Sequence, residues 1–213
     1  MPKFDRNEVE QAFANLWKVG CVDEDWIGWT NLYTPDVEYF DHFWGWFHGR
    51  EEVVRWIEPV MKGVPEIYTV LEWYRIDDDV VTFFVQNRRD NPSDDGPEYF
   101  DFPGLSIAVY AGDGLFSSEE DYWDVGGARR TSQEYEAACT RAGAGDPLAR
   151  MTRRFWPEGP SWARTDSPPK PSWLGRDEIP PIIKPRAIYA LLGRERDTER
   201  PAGAPDLRRP PGS

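Results

Sequence analysis

Carboxylates are concentrated near the end of one apparent strand. The segment 115–124 contains Glu119, Glu120 and Asp121 in succession and is otherwise typical of a strand with a buried face. A carboxylate that enters an apolar interior must find hydrogen bonds or shift its pKa, and sites that tolerate such groups are often catalytic. An exposed strand end whose acids face water is the ordinary alternative. The segment therefore indicates either acid–base chemistry or a solvated strand end.

The charge distribution argues against polyanionic partners. The 213 residues carry a net charge of −13, and the excess of acids lies before residue 143, because the remainder is mildly basic. An acidic body repels phosphate backbones, and there is no basic patch with interleaved aromatic residues. We therefore expect neither nucleic acid nor an anionic membrane as a partner.

Cysteine and histidine are too scarce for a disulfide framework or a histidine-rich metal site. The chain has two cysteines, Cys21 and Cys139, and two histidines, His42 and His48. The first residues lack the apolar region of a signal peptide, and there is no apolar run long enough to span a bilayer. We expect a cytoplasmic protein that needs no metal and no cofactor.

Apolar spacing and turn residues predict an α+β chain, with helices against one face of a curved sheet. Asn7 is the expected cap of the first helix, and Pro35 the expected end of the second. The predicted helices cover the region after Asn7, 23–33, the region after Gly49, and 132–142. The predicted strands cover 37–41, 67–75, 80–87, 98–102, 105–111 and 115–124.

The composition changes near residue 143. Residues 1–142 are predicted to form one domain, and residues 143–213 a long irregular extension rich in Pro and Arg. A purely solvating segment would rarely contain apolar residues such as Trp162, Trp173 and Ile188. We therefore expect the extension to be partly docked and otherwise disordered, with a short helix at 186–192.

The element order, the segment Asp36-Val37-Glu38-Tyr39 leading to Gly49-Arg50-Glu51, and the ending Glu120-Asp121-Tyr122-Trp123-Asp124 together resemble the nuclear transport factor 2-like superfamily. Its members include ketosteroid isomerase, limonene epoxide hydrolase and SnoaL-like polyketide cyclases. The resemblance implies a cone, in which a strongly bent antiparallel or mixed sheet wraps around N-terminal helices and encloses an apolar cavity. It also implies a homodimer.

The resemblance to limonene epoxide hydrolase assigns candidate catalytic residues. Tyr39 and Asp41 match a cavity tyrosine and asparagine that hold the attacking water, and Asp121 matches a cavity aspartate. The arginine and first aspartate of that enzyme fall on Val85 and Asn87, so its full charge relay is not expected here.

Strand alternation places Tyr39 and Asp41 on one face, and His42 on the other. Two carboxyls in one cavity cannot both stay ionised without donors, so either Asp41 or Asp121 should be protonated. Asp121 would then act as the base, with Tyr39 and a protonated Asp41 stabilising an oxyanion. The alternatives are a packing role for Tyr39, a turn cap at Asp41, and a salt bridge from Asp121 to Arg50 or Arg88.

Substrate contacts are expected from polar and aromatic residues around the same cavity, with core packing as the alternative for each ring: Asn87, His42, Trp44, Phe84 and Trp123. His42 can instead be a structural residue or a partner of Asp41. Glu119 shares the face of Asp121 but is expected to be solvated.

These residues predict a cofactor-independent isomerase, dehydratase, cyclase or hydrolase that acts on a small, largely apolar steroid, terpenoid or polyketide. Function varies widely on one fold. The alternative is therefore a non-catalytic ligand-binding or dimeric interaction module, and a third possibility is an extension that closes the cavity mouth.

Overall fold

The chain has an α+β architecture in which helices precede, interrupt and follow six strands. A computed structural model describes residues 3–93, 95–145, 154, 156, 159–165, 167 and 169–199. The helices are α1 (Arg6–Trp17), α2 (Trp26–Thr30), α3 (Gly49–Gly63), α4 (Val125–Ala142) and α5 (Pro185–Leu192), with a π-turn at Lys18–Val22 and a 3₁₀ turn at Ser161–Ala163. The strands are β1 (Tyr33–Asp41), β2 (Gly45–His48), β3 (Tyr68–Asp77), β4 (Val80–Asp90), β5 (Tyr99–Gly112) and β6 (Leu115–Trp123).

The strands form one mixed sheet in the order β2-β1-β6-β5-β4-β3. β1 and β6 are parallel, and every other pair of neighbours is antiparallel. Register shifts interrupt three of the pairings, and such irregularities bend a sheet. The sheet wraps around α1, α2 and α3, which confirms the α+β class and the cone-shaped sheet. None of the described helices is both long and apolar enough to cross a bilayer.

The first helix starts at a different cap from the one expected. The Asp5 side chain, not that of Asn7, accepts hydrogen bonds from the backbone nitrogens of Asn7 and Glu8, at 2.8 and 3.4 Å. An aspartate can accept from orphan N–H groups of the first turn as well as an asparagine can, so the sequence did not separate the two.

The middle of the chain contains more strand than the sequence indicated. The second helix ends at Thr30, with Asn31 as its C-cap, so Pro35 does not end it. Pro35 instead lies inside β1, which begins at Tyr33. The two strands expected at 98–102 and 105–111 are one strand, β5, whose pairing with β4 is unbroken. Glycine suits position 104 of that strand, because a Cβ there would lie only 3.1 Å from Val85 Cγ2.

The described parts of the extension pack against the body. Trp17 Nε1 donates to the Ala163 carbonyl at 3.0 Å, and the side chains of Trp173 and Ile188 are buried in the main core. Asp197 O accepts from Trp46 N at 3.1 Å, so the chain after α5 covers the outer edge of β2. These contacts make the extension part of the folded body wherever it is described.

This packing predicts unequal effects within α5. Ile188 is 0% exposed and Leu191 is 49% exposed. Ile188→Ala should lower the free energy of unfolding by about 2–5 kcal/mol because it leaves a cavity in the core. Leu191→Ala, the matched control, should change it by less than about 0.5 kcal/mol. Urea unfolding of both variants measures the difference, and equal values would contradict the docked position of α5.

Candidate functional site

A cavity of about 570 Å³ lies between the concave face of the sheet and helices α1 to α4. Most of its surface is aromatic or aliphatic. Trp44 and Trp123, both expected at the pocket, line it together with residues that include Trp17, Trp29, Trp56 and Phe83. A pocket of this size and composition suits a small apolar molecule.

Strand pairing brings the acidic side chains of β1 and β6 together in this cavity. In the parallel β1–β6 pair, Tyr39 lies opposite Glu119, and Asp41 lies opposite Asp121. On the other side of β6, Ser106 of β5 lies opposite Asp121. Since side chains alternate along a strand, these residues all face inward. Asp41, Glu119 and Asp121 all line the cavity.

Hydroxyl groups donate hydrogen bonds to the two inward carboxyls of β6, Glu119 and Asp121. Tyr33 Oη donates to Glu119 Oε2, and Tyr39 Oη donates to Asp121 Oδ2. Ser106 Oγ donates to Asp121 Oδ1 at 2.5 Å, while Tyr39 Oη also lies 3.4 Å from Glu119 Oε1. Burial raises the pKa of Tyr33 and Tyr39 well above the ordinary value, so both phenols stay protonated and can donate.

Glu119 and Asp121 share one negative charge. Burial, reinforced by the charge of Asp121, raises the pKa of Glu119 well above its ordinary value. Burial also raises the pKa of Asp121, but hydrogen bonds from Ser106, Tyr39 and Glu119 oppose that rise. The two carboxyls therefore titrate as a pair, in which burial favours the proton on Glu119 and the hydroxyl donors favour the charge on Asp121.

Asp41 is both a turn cap and a cavity residue, so the two expectations for it are compatible. Its Oδ1 accepts from the backbone nitrogens of Phe43 and Trp44, both at 2.7 Å. Its Oδ2 accepts from Trp123 Nε1 at 3.0 Å. Burial and the nearby charge of Asp121 outweigh these donors and raise the pKa of Asp41 to about 7.

Two residues expected to contact substrate lie outside the cavity lining. His42 follows the end of β1 and points away from the cavity, where its Nε2 is 2.9 Å from Glu120 Oε1 and its ring stacks on Tyr122. Phe84 is on the outer face of β4, stacked on Trp73 at a centroid distance of 5.7 Å. The inward rings of β4 belong to the alternate positions, among them Phe83.

Glu119 is a cavity residue that the sequence analysis placed wrongly. Its side chain was expected in water, but the residue is only 5% exposed. The two-residue spacing from Asp121 on one strand face was the available signal. The expected alternative partners of Asp121 are occupied elsewhere: Arg50 Nε donates to the Tyr33 carbonyl, and Arg88 pairs with Asp101.

The remaining chemistry-bearing groups do not extend the site to metal or thiol chemistry. Asn87 lines the cavity as expected, on the next inward position of β4 after Val85. Burial raises the pKa of the Cys21 thiol, so it stays neutral. Within the described ranges, no group of three or more His, Cys, Asp or Glu side chains is arranged to hold a metal ion. The geometry supports proton transfer between carboxyl groups and a bound molecule.

Similarity to known proteins identifies the family of this chain. A search of curated proteins finds no match. A solved structure with a ketosteroid isomerase-like fold from Catenulispora acidiphila DSM 44928, in complex with trimethylamine, is 18% identical, with a TM-score of 0.48 over 59% of this chain and 92% of its own. A protein from Jannaschia sp. CCS1, named as a putative SnoaL-like polyketide cyclase, is 18% identical, with a TM-score of 0.47 over 60% of this chain and 96% of its own.

A family model described as a SnoaL-like domain matches residues 9–119. This range is more than half of the chain and contains Tyr39, Asp41 and Glu119. The chain therefore belongs to the SnoaL-like domain family of the nuclear transport factor 2-like superfamily.

Proposed function

We propose that the protein is a cofactor-independent acid–base enzyme acting on a small, largely apolar molecule. One observation carries the proposal: two buried carboxyls, Asp121 held by Tyr39 and Ser106 and its neighbour Glu119, face one apolar cavity. We assign the proton to Glu119 and the charge to Asp121. A carboxylate in such surroundings is a stronger base than one in water, because burial raises its pKa. Proton transfer is the chemistry that this pair of groups supports.

Asp121 is the proposed general base. It would remove a proton from carbon next to a carbonyl group, and the electron pair would move into the carbonyl oxygen. Asp41 is the proposed donor to that developing oxyanion, since a pKa of about 7 leaves it partly protonated near neutrality. Return of the proton to another carbon gives isomerisation, whereas attack of the enolate on a second carbonyl gives cyclisation.

Tyr39 takes a different role from the one the sequence suggested. Its hydroxyl donates to Asp121 rather than standing free for a substrate oxygen. We assign Tyr39 to holding the base in its ionised form, together with Ser106. The aromatic lining favours a ring-containing substrate such as a steroid, terpenoid or polyketide.

A non-catalytic ligand-binding protein is the second candidate. It is favoured by the completeness of the hydrogen bonds, because Asp121 accepts hydroxyl donors on both oxygens before any ligand enters. A satisfied polar network can serve structure alone. Thermal-shift screening with steroids and polyketides, followed by turnover assays on the hits, separates the two: stabilisation without turnover indicates binding only.

A homodimer through the outer sheet face is also proposed. Trp73 on that face is 48% exposed and stacks on Phe84, so an aromatic pair of the outer face is open to a partner chain. Light scattering on the full chain should give twice the mass of 24.6 kDa. A single-chain mass would contradict the proposal.

Asp121→Asn should lower kcat by about 10²–10⁴-fold on a substrate found by the screen, because the base is lost while the shape of the side chain is kept. Glu120→Gln is the matched control, since Glu120 is the adjacent residue and faces the outside of the sheet, beside His42. It should leave kcat within about twofold. Full activity in Asp121→Asn would exclude Asp121 as the base.

The pH dependence of kcat/KM tests whether Asp41 donates to the oxyanion. Since its pKa is raised to about 7, Asp41 holds its proton below that pH and loses it above. If Asp41 donates to the oxyanion, kcat/KM should fall as the pH rises through about 7. Asp41→Asn keeps a neutral donor at the position and should remove this fall. An unchanged alkaline decline in the variant would show that another group produces it.

A further inference from the structure

The cavity has a second polar region, far from the carboxyl groups. Along β4, the inward positions are Phe83, Val85, Asn87 and Arg89, and all four line the cavity. Arg89 is the last of them, and it is only 5% exposed. A guanidinium is always ionised, so this end of the cavity contains a buried positive charge.

The Arg89 guanidinium is incompletely paired. Its Nε lies 3.3 Å from Glu66 Oε1, and its carbon lies 5.4 Å from the centroid of the Tyr135 ring. Its Nη1 is buried with no hydrogen-bond partner. The contact to Glu66 through Nε therefore leaves the N–H donors of Nη1 unused, and an unsatisfied buried donor costs free energy. An anionic ligand would supply the missing acceptors.

Helix α4 adds to this region where the cavity meets solvent. Arg129, Ser132 and Gln133 line the cavity from α4, and Arg129 and Gln133 are exposed. Arg89 pairs with Glu66, which is not a lining residue, and the described lining of this end contains two arginines and no acid, so it is positive. The opposite region holds Asp41, Glu119 and Asp121. Charge within the cavity is thus separated along its length.

The strand register gives the distance between the two charged regions of the cavity. Phe83 lies opposite Ser106, which in turn lies opposite Asp121, so these three positions share one row across the sheet. Arg89 is six residues further along β4. At a rise of about 3.3 Å per residue, the Arg89 backbone is about 20 Å along the strand from that row. A negative group near Arg89 is therefore kept away from the charge of Asp121.

We propose that Arg89 binds a carboxylate at the end of the ligand remote from the reacting carbon. The ligand class is an elongated, ring-containing molecule with one terminal carboxylate. A planar guanidinium can donate parallel hydrogen bonds to such a group, and the unpaired Nη1 of Arg89 is available for it. The assignment of a reacting carbon rests on the proposed function, but carboxylate binding does not require turnover.

The test compares two probes that differ only in charge, pyrenebutyrate and its neutral primary amide. Fluorescence titration of the full chain should show about tenfold or more tighter binding of the carboxylate. Arg89→Gln should abolish this preference and leave the affinity for the amide unchanged. Arg75→Gln is the charge-matched control, because Arg75 is exposed on β3, and it should keep the preference. Equal affinities in the unaltered protein, no binding of either probe, or equal weakening of both probes in Arg89→Gln would overturn the proposal.

Two further measurements keep the test independent of folding and of catalysis. If Arg89→Gln does not fold, a crystal structure of the unaltered chain with pyrenebutyrate decides: the carboxylate should lie beside Arg89, and a position elsewhere would refute the site. Asp121→Asn should keep the preference for the carboxylate even though the proposed function requires that it lose turnover. A failure of the acid–base proposal and a failure of the Arg89 site therefore give different results.

Discussion

Three carboxyl groups face one apolar cavity, and this burial of charge constrains the rest of the site. Asp41, Glu119 and Asp121 cannot all ionise there, because each added negative charge raises the pKa of its neighbours. Burial favours a proton on Glu119, and hydroxyl groups donate to both inward carboxyls of β6. Tyr33 and Tyr39 supply these donors because their own burial keeps them protonated. One charge, on Asp121, is thus isolated and held in place.

The scaffold makes this arrangement possible through one parallel pairing. β1 and β6 lie side by side, so Tyr39 meets Glu119 and Asp41 meets Asp121 through strand pairing. The helices and the docked parts of the extension cover the apolar side of the sheet, where Ile188 belongs to the main core. Paired strands and an apolar cavity favour close placement of the reacting groups. Arg89 supplies a positive charge at the other end of the cavity, so the two ends differ in charge.

Local patterns in the sequence predicted much of this, and the long-range pairing explains what they missed. Alternation along β1 placed Tyr39 and Asp41 inward and His42 outward, in agreement with the structure. Glu119 was missed because its donor Tyr33 was read as the end of a helix and because nothing local reveals a parallel partner. The apolar run of β4 shows no polar alternation, so either Phe83 or Phe84 could have faced the cavity. Whether Arg89 faces the cavity depended on the same question, namely which face of β4 points inward.

The site depends on a proton on Glu119 while Asp121 is ionised. ¹³C NMR of the side-chain carboxyl carbons, followed through a pH titration and assigned with Glu119→Gln, measures both states directly. The Glu119 signal should keep the chemical shift of a protonated acid at neutral pH, since burial raises its pKa well above the ordinary value. A Glu119 signal that titrates near the ordinary glutamate value of about 4.3 would exclude this arrangement.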